Sequence, residues 1–247
     1  MQRRCPVTKC RRPHPRTARG SIVTTLLGRS CPLIAGVVST PEALAALDVE
    51  SAAACDLIEL RFDQLAMPLA AFRAECARVR TLVPILLTHR WSAEGGGADD
   101  DQARWAVYEA LVQDVDAFDI ELASSLAARV SALAVANGVT LILSFHDFQG
   151  LPEICELRKK IARMRELGAV PKLAVTVETD EQVRELEALL RDCGSEPICV
   201  IGMGTAGQQT RFGFPRLGSC LTYGYIDRPS APGQPSCCEL RNALKPG

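Results

Sequence analysis

Short runs rich in Val, Ile and Leu recur along the chain from Leu33 onward, each separated from the next by a longer amphipathic stretch. A short apolar run followed by a helix that covers it is the unit from which parallel sheets are built. Eight strand candidates can be read, near Leu33 to Val38, Leu57 to Arg61, Pro84 to Arg90, Ala117 to Glu121, Val139 to Ser144, Lys172 to Val177, Ile198 to Met203 and Cys220 to Tyr223. Helix candidates include Pro68 to Val79, Gln102 to Val112, Glu153 to Leu167, Asp180 to Arg191 and Cys237 to Leu244. Thr179 with Gln182 and Ser236 with Glu239 fit the reciprocal capping box, and Thr40 before Pro41 marks another helix start. A hydrophobic content of 47% in 247 residues is enough for one large core. Eight βα units within that length predict an α/β fold, a (β/α)8 barrel forming one catalytic domain over residues 31–247. An open doubly wound sheet is the alternative, but no glycine fingerprint follows the first strand.

The first thirty residues differ from the rest. Arg3, Arg4, Lys9, Arg11, Arg12, Arg16, Arg19 and Arg29 precede any acidic residue, among Pro6, Pro13 and Pro15. Too little apolar surface is present to offset the entropy of ordering, so residues 1–30 are expected to form a flexible basic leader. A transit peptide, a nucleic-acid contact or a start codon assigned too early all fit that composition. The net charge of −1 gives no general argument for nucleic acid or an anionic membrane, and no run approaches the roughly 18 apolar residues of a membrane span. A small-molecule substrate and a cytoplasmic protein are therefore expected. The eleven cysteines are odd in number, and Cys55, Cys155, Cys199 and Cys220 sit inside apolar or amphipathic segments. Most read as buried thiols in a reducing compartment; no C-x-x-C pair supports a metal site.

In a barrel, function collects at the carboxyl ends of the strands and in the loops after them. Polar residues cluster at those places: Glu59, Arg61 and Asp63; Arg90 and Glu94; Asp119 and Glu121; His146 and Asp147. Of the five lysines, only Lys172 opens a strand candidate, where alternation puts it on one small-residue face with Ala174 and Thr176. Burial disfavours an ammonium, so a lumen lysine is a candidate nucleophile toward a ketone. An ordinary strand-end lysine reaching solvent is the competing interpretation. His146, in Leu-Ser-Phe-His-Asp-Phe, offers a group that accepts and returns a proton near neutral pH, or else a structural imidazole. His89 points away from Arg90 and is taken as incidental, as is His14. Arg61, Arg90 and Arg211 fall near one rim and together suggest an anionic substrate, with Glu59 and Glu94 as acceptors for hydroxyl groups.

The motifs together resemble type I 3-dehydroquinate dehydratase from about Pro32 to Leu244. The resemblance is carried by Glu-Leu-Arg-Phe-Asp, Thr-His-Arg-Trp-Ser-Ala-Glu-Gly-Gly, Ser-Phe-His-Asp-Phe, Pro-Lys-Leu-Ala-Val, Met-Gly-Thr-Ala-Gly with Arg211, and Ser-Ala-Pro-Gly-Gln, in that order. It implies a lyase of the shikimate pathway that uses no cofactor and no metal, with Lys172 as imine-forming residue and His146 as general acid and base. Glu94 matches a carboxylate beside the histidine, and Asp119 is placed to support the same network. Glu59, Arg61, Arg90, Arg211, Ser230 and Gln234 match substrate-binding positions; Met203 keeps one of two methionines, and Ile201 replaces the other. His89 stands where the family more often has an apolar residue. Residues 230–234 resemble a loop that closes over substrate, and a homodimer is the expected assembly.

Two other functions are open on the residues alone. Gly202, Gly204 and Gly207 after the seventh strand suit a sugar-phosphate barrel enzyme, separable by competition with simple sugar phosphates. A non-catalytic ligand sensor is the other, and retention of Lys172 and His146 argues against it.

Overall fold

The computed structural model describes residues 32–229 and 233–245; the predicted leader and Ser230 lie outside the described residues. Eight strands are observed: β1 (Leu33–Val38), β2 (Leu57–Arg61), β3 (Ile85–Thr88), β4 (Ala117–Glu121), β5 (Thr140–Asp147), β6 (Val170–Thr176), β7 (Cys199–Met203) and β8 (Leu221–Tyr225). Every ladder is parallel, in the order β7-β6-β5-β4-β3-β2-β1-β8. The two ends of the sheet meet where Cys220 N donates to Ile198 O at 2.8 Å and Val200 N to Ser219 Oγ at 3.1 Å, which brings the sheet round into a barrel.

A covering helix follows each strand: α1 (Pro41–Ala46), α2 (Leu69–Val79), α3 (Asp101–Leu111), α4 (Ala127–Asn137), α5 (Ile154–Glu166), α6 (Asp180–Asp192), α7 (Thr210–Arg216) and α8 (Cys237–Ala243). Strand alternation divides the buried apolar residues into two layers. Ile58, Leu60, Ile85, Leu87, Phe118, Ile120, Leu141 and Leu143 face the helices, and Leu57, Leu86, Ala117, Ile142, Ala174, Cys199, Ile201 and Tyr223 fill the lumen. Leucines and isoleucines on both faces explain why these strands read as continuous apolar runs.

The helix starts follow the capping chemistry with one shift. Thr40 accepts from Ala43 N, and Ser236 and Glu239 form the full reciprocal box. Thr179 accepts from Gln182 N, but Gln182 Oε1 accepts from Glu178 N, one residue before the cap. Strand limits differ from expectation in β3, which stops at Thr88 before Arg90, in β8, which runs on to Tyr225, and most consequentially in β5 and β6. β5 runs through His146 and Asp147, because its ladder to β6 continues past Ser144 as far as the Asp147–Val175 pair. Lys172 is the third residue of β6, since Val170 and Pro171 already pair with Ile142 and Leu143. Among the described residues no helix is long and apolar enough to cross a membrane.

Candidate functional site

Alternation gives each strand an inward series, and its polar members converge at the carboxyl end of the lumen. They are Glu59 on β2, Thr88 and the following Arg90 from β3, Asp119 and Glu121 on β4, Ser144 and His146 on β5, and Lys172 on β6. All except His146 are buried. Lys172 Nζ lies 2.8 Å from Asp119 Oδ2, and His146 occupies the next inward position beyond Ser144, the strand partner of Lys172. The expectation of a buried lysine holds, with an addition: burial here comes with a counterion. Burial alone raises the Asp119 carboxyl, but Arg90 and Lys172 outweigh it and hold the group well below the usual carboxylate range.

Arg90 is the hub of this network. Its Nη2 donates to Asp119 Oδ1 at 2.8 Å, and its Nη1 to Glu121 Oε1 at 3.0 Å and to Ser144 Oγ. Ser144 Oγ in turn donates to Asp119 Oδ1 at 2.7 Å. Burial opposes the Arg90 charge, yet the two carboxylates hold its guanidinium above its ordinary range. Glu59 contributes a third negative charge and accepts from Thr88 Oγ1 at 2.7 Å. Behind Glu121 stands Arg104 of α3, fully buried, which grips Glu121 Oε2 and donates to His89 O at 3.1 Å. Arg104 gave no sequence signal, because it lies on an outer helix where an arginine normally meets water. Glu121 and Ser144 were readable, since they share strand parity with Asp119 and His146.

The loop after β3 positions the acid–base pair. Ser92 N donates to Ala98 O at 2.9 Å and Ala98 N to Arg90 O at 3.1 Å, folding the segment back on itself. A Cβ at Gly96 would collide with the Arg90 carbonyl, so this return requires glycine. The resulting short 3-10 turn, Ser92–Glu94, puts Glu94 Oε2 at 2.9 Å from His146 Nδ1 and 3.0 Å from His146 N. Burial raises the Glu94 carboxyl to about 7, with Arg90 opposing the rise. Burial, Arg90 and Lys172 together lower the His146 imidazole well below its usual value, with Asp119 the opposing charge. A neutral imidazole whose Nδ1–H is held by Glu94 leaves Nε2 as a proton acceptor.

The three arginines predicted to meet an anion are placed differently. Arg61 makes a bidentate pair with Asp63, at 3.0 and 2.7 Å, and Arg90 is committed to Asp119 and Glu121. Arg211, on α7, forms no ion pair with a carboxylate among the described residues; its Nη1 donates to Tyr223 O at 3.4 Å. Burial lowers its guanidinium. Met203 ends β7 beside the lumen cluster, and Gln234 is buried where the chain returns toward α8.

His89 faces outward as expected, stacked edge-on against Phe62 at 5.0 Å, and burial pushes it down to about 4. The glycines after β7 have a packing role: Gly207 lies against the backbone of Gly202 so closely that a Cβ there would collide with it. Cys55, Cys199 and Cys220 are buried free thiols, whereas Cys155 is exposed on α5. No group of three or more His, Cys, Asp or Glu residues fit to hold a metal ion occurs among the described residues.

This constellation has counterparts. The family model described as type I 3-dehydroquinase matches residues 35–246. The chain belongs to the type I 3-dehydroquinase family. A 3-dehydroquinate dehydratase of Methanothrix thermoacetophila is 33% identical over 218 residues, covering 84% of this chain and 92% of that protein. The crystal structure of the Aquifex aeolicus 3-dehydroquinate dehydratase superposes with a TM-score of 0.78 at 27% identity, covering 85% of this chain and 96% of that one. The type I enzyme of Clostridium difficile gives a TM-score of 0.77 at 26% identity, covering 88% and 92% respectively. As a type I 3-dehydroquinase, the chain is a lyase of the shikimate pathway acting on a small molecule.

Proposed function

This type I 3-dehydroquinase dehydrates 3-dehydroquinate to 3-dehydroshikimate, and we propose that the imine of that reaction forms on Lys172, with His146 carrying the proton. The observation that carries this reading is the buried Lys172 amine beside Asp119, with His146 at the next inward position of the adjoining strand. Lys172 Nζ adds to the ring ketone, and loss of water leaves an iminium that draws electrons from the adjacent carbon. His146 Nε2 takes the proton from that carbon while Glu94 holds Nδ1–H. Collapse of the enamine expels the β-hydroxyl, to which His146 returns its proton, and hydrolysis releases product and lysine.

Arg211, which has no carboxylate partner among the described residues, meets the substrate carboxylate; Glu59, Arg61, Arg90, Met203 and Gln234 line the remainder, and the motif that contains Ser230 makes it a further substrate-binding residue. The structure of the Clostridium difficile type I enzyme holds covalently modified comenic acid, which is in keeping with a covalent step in a protein of this kind. The reading also carries a homodimer, which light scattering tests, and a reducing cytoplasm, in keeping with the thiols of Cys55, Cys76, Cys199, Cys220 and Cys237.

Borohydride reduction in the presence of 3-dehydroquinate, followed by peptide mass spectrometry, tests the imine. A ligand-sized adduct is expected on Lys172 and none in Lys172→Ala. His146→Ala is expected to lose turnover sharply while still forming adduct; near-normal turnover there refutes the proton role.

A further inference from the structure

Arg104 joins the lumen network from outside the barrel wall. It lies on α3 and is fully buried, as is Tyr108 one turn further along. The β3–β4 ladder stops at the Thr88–Asp119 pair. Beyond that pair, α3 holds the backbone of His89 at both its polar groups: Tyr108 Oη accepts from His89 N at 3.4 Å, and Arg104 Nε donates to His89 O at 3.1 Å. Tyr108 Oη also donates to Asp119 O at 2.8 Å. Arg104 Nη1 donates to Asp101 Oδ1 at 3.1 Å and to Ser124 Oγ at 3.2 Å, while Nη2 grips Glu121 Oε2. A buried ion pair adds little net stability over apolar side chains of the same volume, so stability alone does not account for a guanidinium here.

We propose that Arg104 is a positioning residue for the reaction: by fixing His89 O and Glu121 Oε2 at once, it holds the segment that carries Arg90 and Glu94 in its working place. The inference rests on the reading of Glu94 and His146 as the acid–base pair. His89 precedes Arg90 in the chain, and Glu121 Oε1 accepts from both Arg90 Nη1 and Trp91 N, each at 3.0 Å. Trp91 O in turn accepts from Glu94 N at 3.0 Å, closing the turn that sets Glu94 against His146. The planar fork of a guanidinium sends two donors from one edge in fixed directions, which the point charge of an ammonium does not reproduce.

The grip reaches the chemistry by charge as well as by shape. Glu94 is faced by His146 of β5, by Arg90 after β3, and by Asp119 and Glu121 of β4. Burial, Glu121 and Asp119 raise its carboxyl; Arg90 and the His146 N–H lower it. Arg104 balances the charge of Glu121. Without that balance Glu121 competes harder with Asp119 for Arg90, and its charge weighs more heavily on Glu94. Both effects act on proton transfer, and neither passes through Arg211. Loss of Arg104 should therefore appear in kcat and its pH dependence more than in KM.

Full-length Arg104→Gln and Arg104→Lys enzymes test this, each with a thermal melt and a kcat profile taken across the limb expected near 7, normalised to the folded fraction. The parent and Glu94→Gln are run first: a parent without that limb overturns the acid–base reading itself, before any change at position 104. Arg104→Gln is expected to lose kcat about tenfold or more with KM within about threefold. Its limb should move upward by about half a pH unit. Arg104→Lys keeps the charge and loses the fork, so the limb should return to its parental place while kcat stays several-fold down. An unmoved limb in Arg104→Gln, with activity lost only in proportion to unfolding, overturns the proposal and makes Arg104 a structural residue. Should the glutamine variant fail to fold, Arg104→Lys decides by itself: parental kcat there overturns the two-point grip, and a several-fold loss at full folding with parental KM supports it.

Discussion

Replacing Asp119 by Asn removes one charge from the lumen and keeps its shape. The Asp119 side chain is fully buried and accepts from Arg90 Nη2 at 2.8 Å, Lys172 Nζ at 2.8 Å and Ser144 Oγ at 2.7 Å. At an effective dielectric of about 20, each cation at such a distance attracts the carboxylate by about 6 kcal/mol. Most of that offsets the desolvation of the charges, and removal of one partner from a buried pair costs about 3–5 kcal/mol. We expect Asp119→Asn to lose about 4 kcal/mol, which for a domain of this size lowers Tm by about 10 °C. The pH dependence supplies a signature. Asp119 is depressed in the folded protein, so its contribution is present above the ordinary carboxylate range near 4 and is lost only as pH falls through the lower native value. Urea unfolding of both proteins should therefore give a gap that is constant from pH 7 to about 5 and narrows in stronger acid. A gap below about 1 kcal/mol at pH 7, or one already shrinking between pH 7 and 5, would refute the assignment of Asp119 as the shared counterion.

Two other substitutions probe the acid–base pair and the anion site. With Glu94 raised to about 7, turnover in the parent enzyme should rise with pH through that value, as the carboxylate forms and Nε2 becomes the free nitrogen of His146. Glu94→Gln accepts Nδ1–H at every pH, so the limb near 7 should vanish from the kcat profile while kcat falls about tenfold or more; persistence of that limb sinks the assignment. The raised Glu94 value also means stability fully present below the ordinary glutamate value and lost as pH rises through about 7, so the glutamine variant should melt higher than the parent at pH 8. Arg211→Met should reduce kcat/KM by about 10- to 100-fold, the worth of a charge-assisted hydrogen-bond pair, chiefly through KM. Its Tm should hold, because no carboxylate among the described residues depends on Arg211; a large drop in Tm with normal KM would make it a structural residue.

The order of elements, the two-residue alternation and the inward parity of Glu59, Asp119, His146 and Lys172 were all local properties, readable because strand geometry repeats within a few residues. The same locality explains the helix starts at Thr40, Thr179 and Ser236, where cap and partner are neighbours in the chain. What the lumen charges do to one another was not local. Arg90 and Asp119 are separated by 29 residues, Arg90 and Ser144 by 54, and Lys172 and Asp119 by 53, so only closure of the barrel decided which cation each carboxylate would hold. Three arginines looked equally ready for an anion in sequence. In the folded chain Arg61 is held by Asp63 two residues further on, whereas Arg90 meets Asp119 and Glu121 of the neighbouring strand and Arg211 meets no carboxylate among the described residues, because those two outcomes depend on distances set only when distant strands are brought side by side.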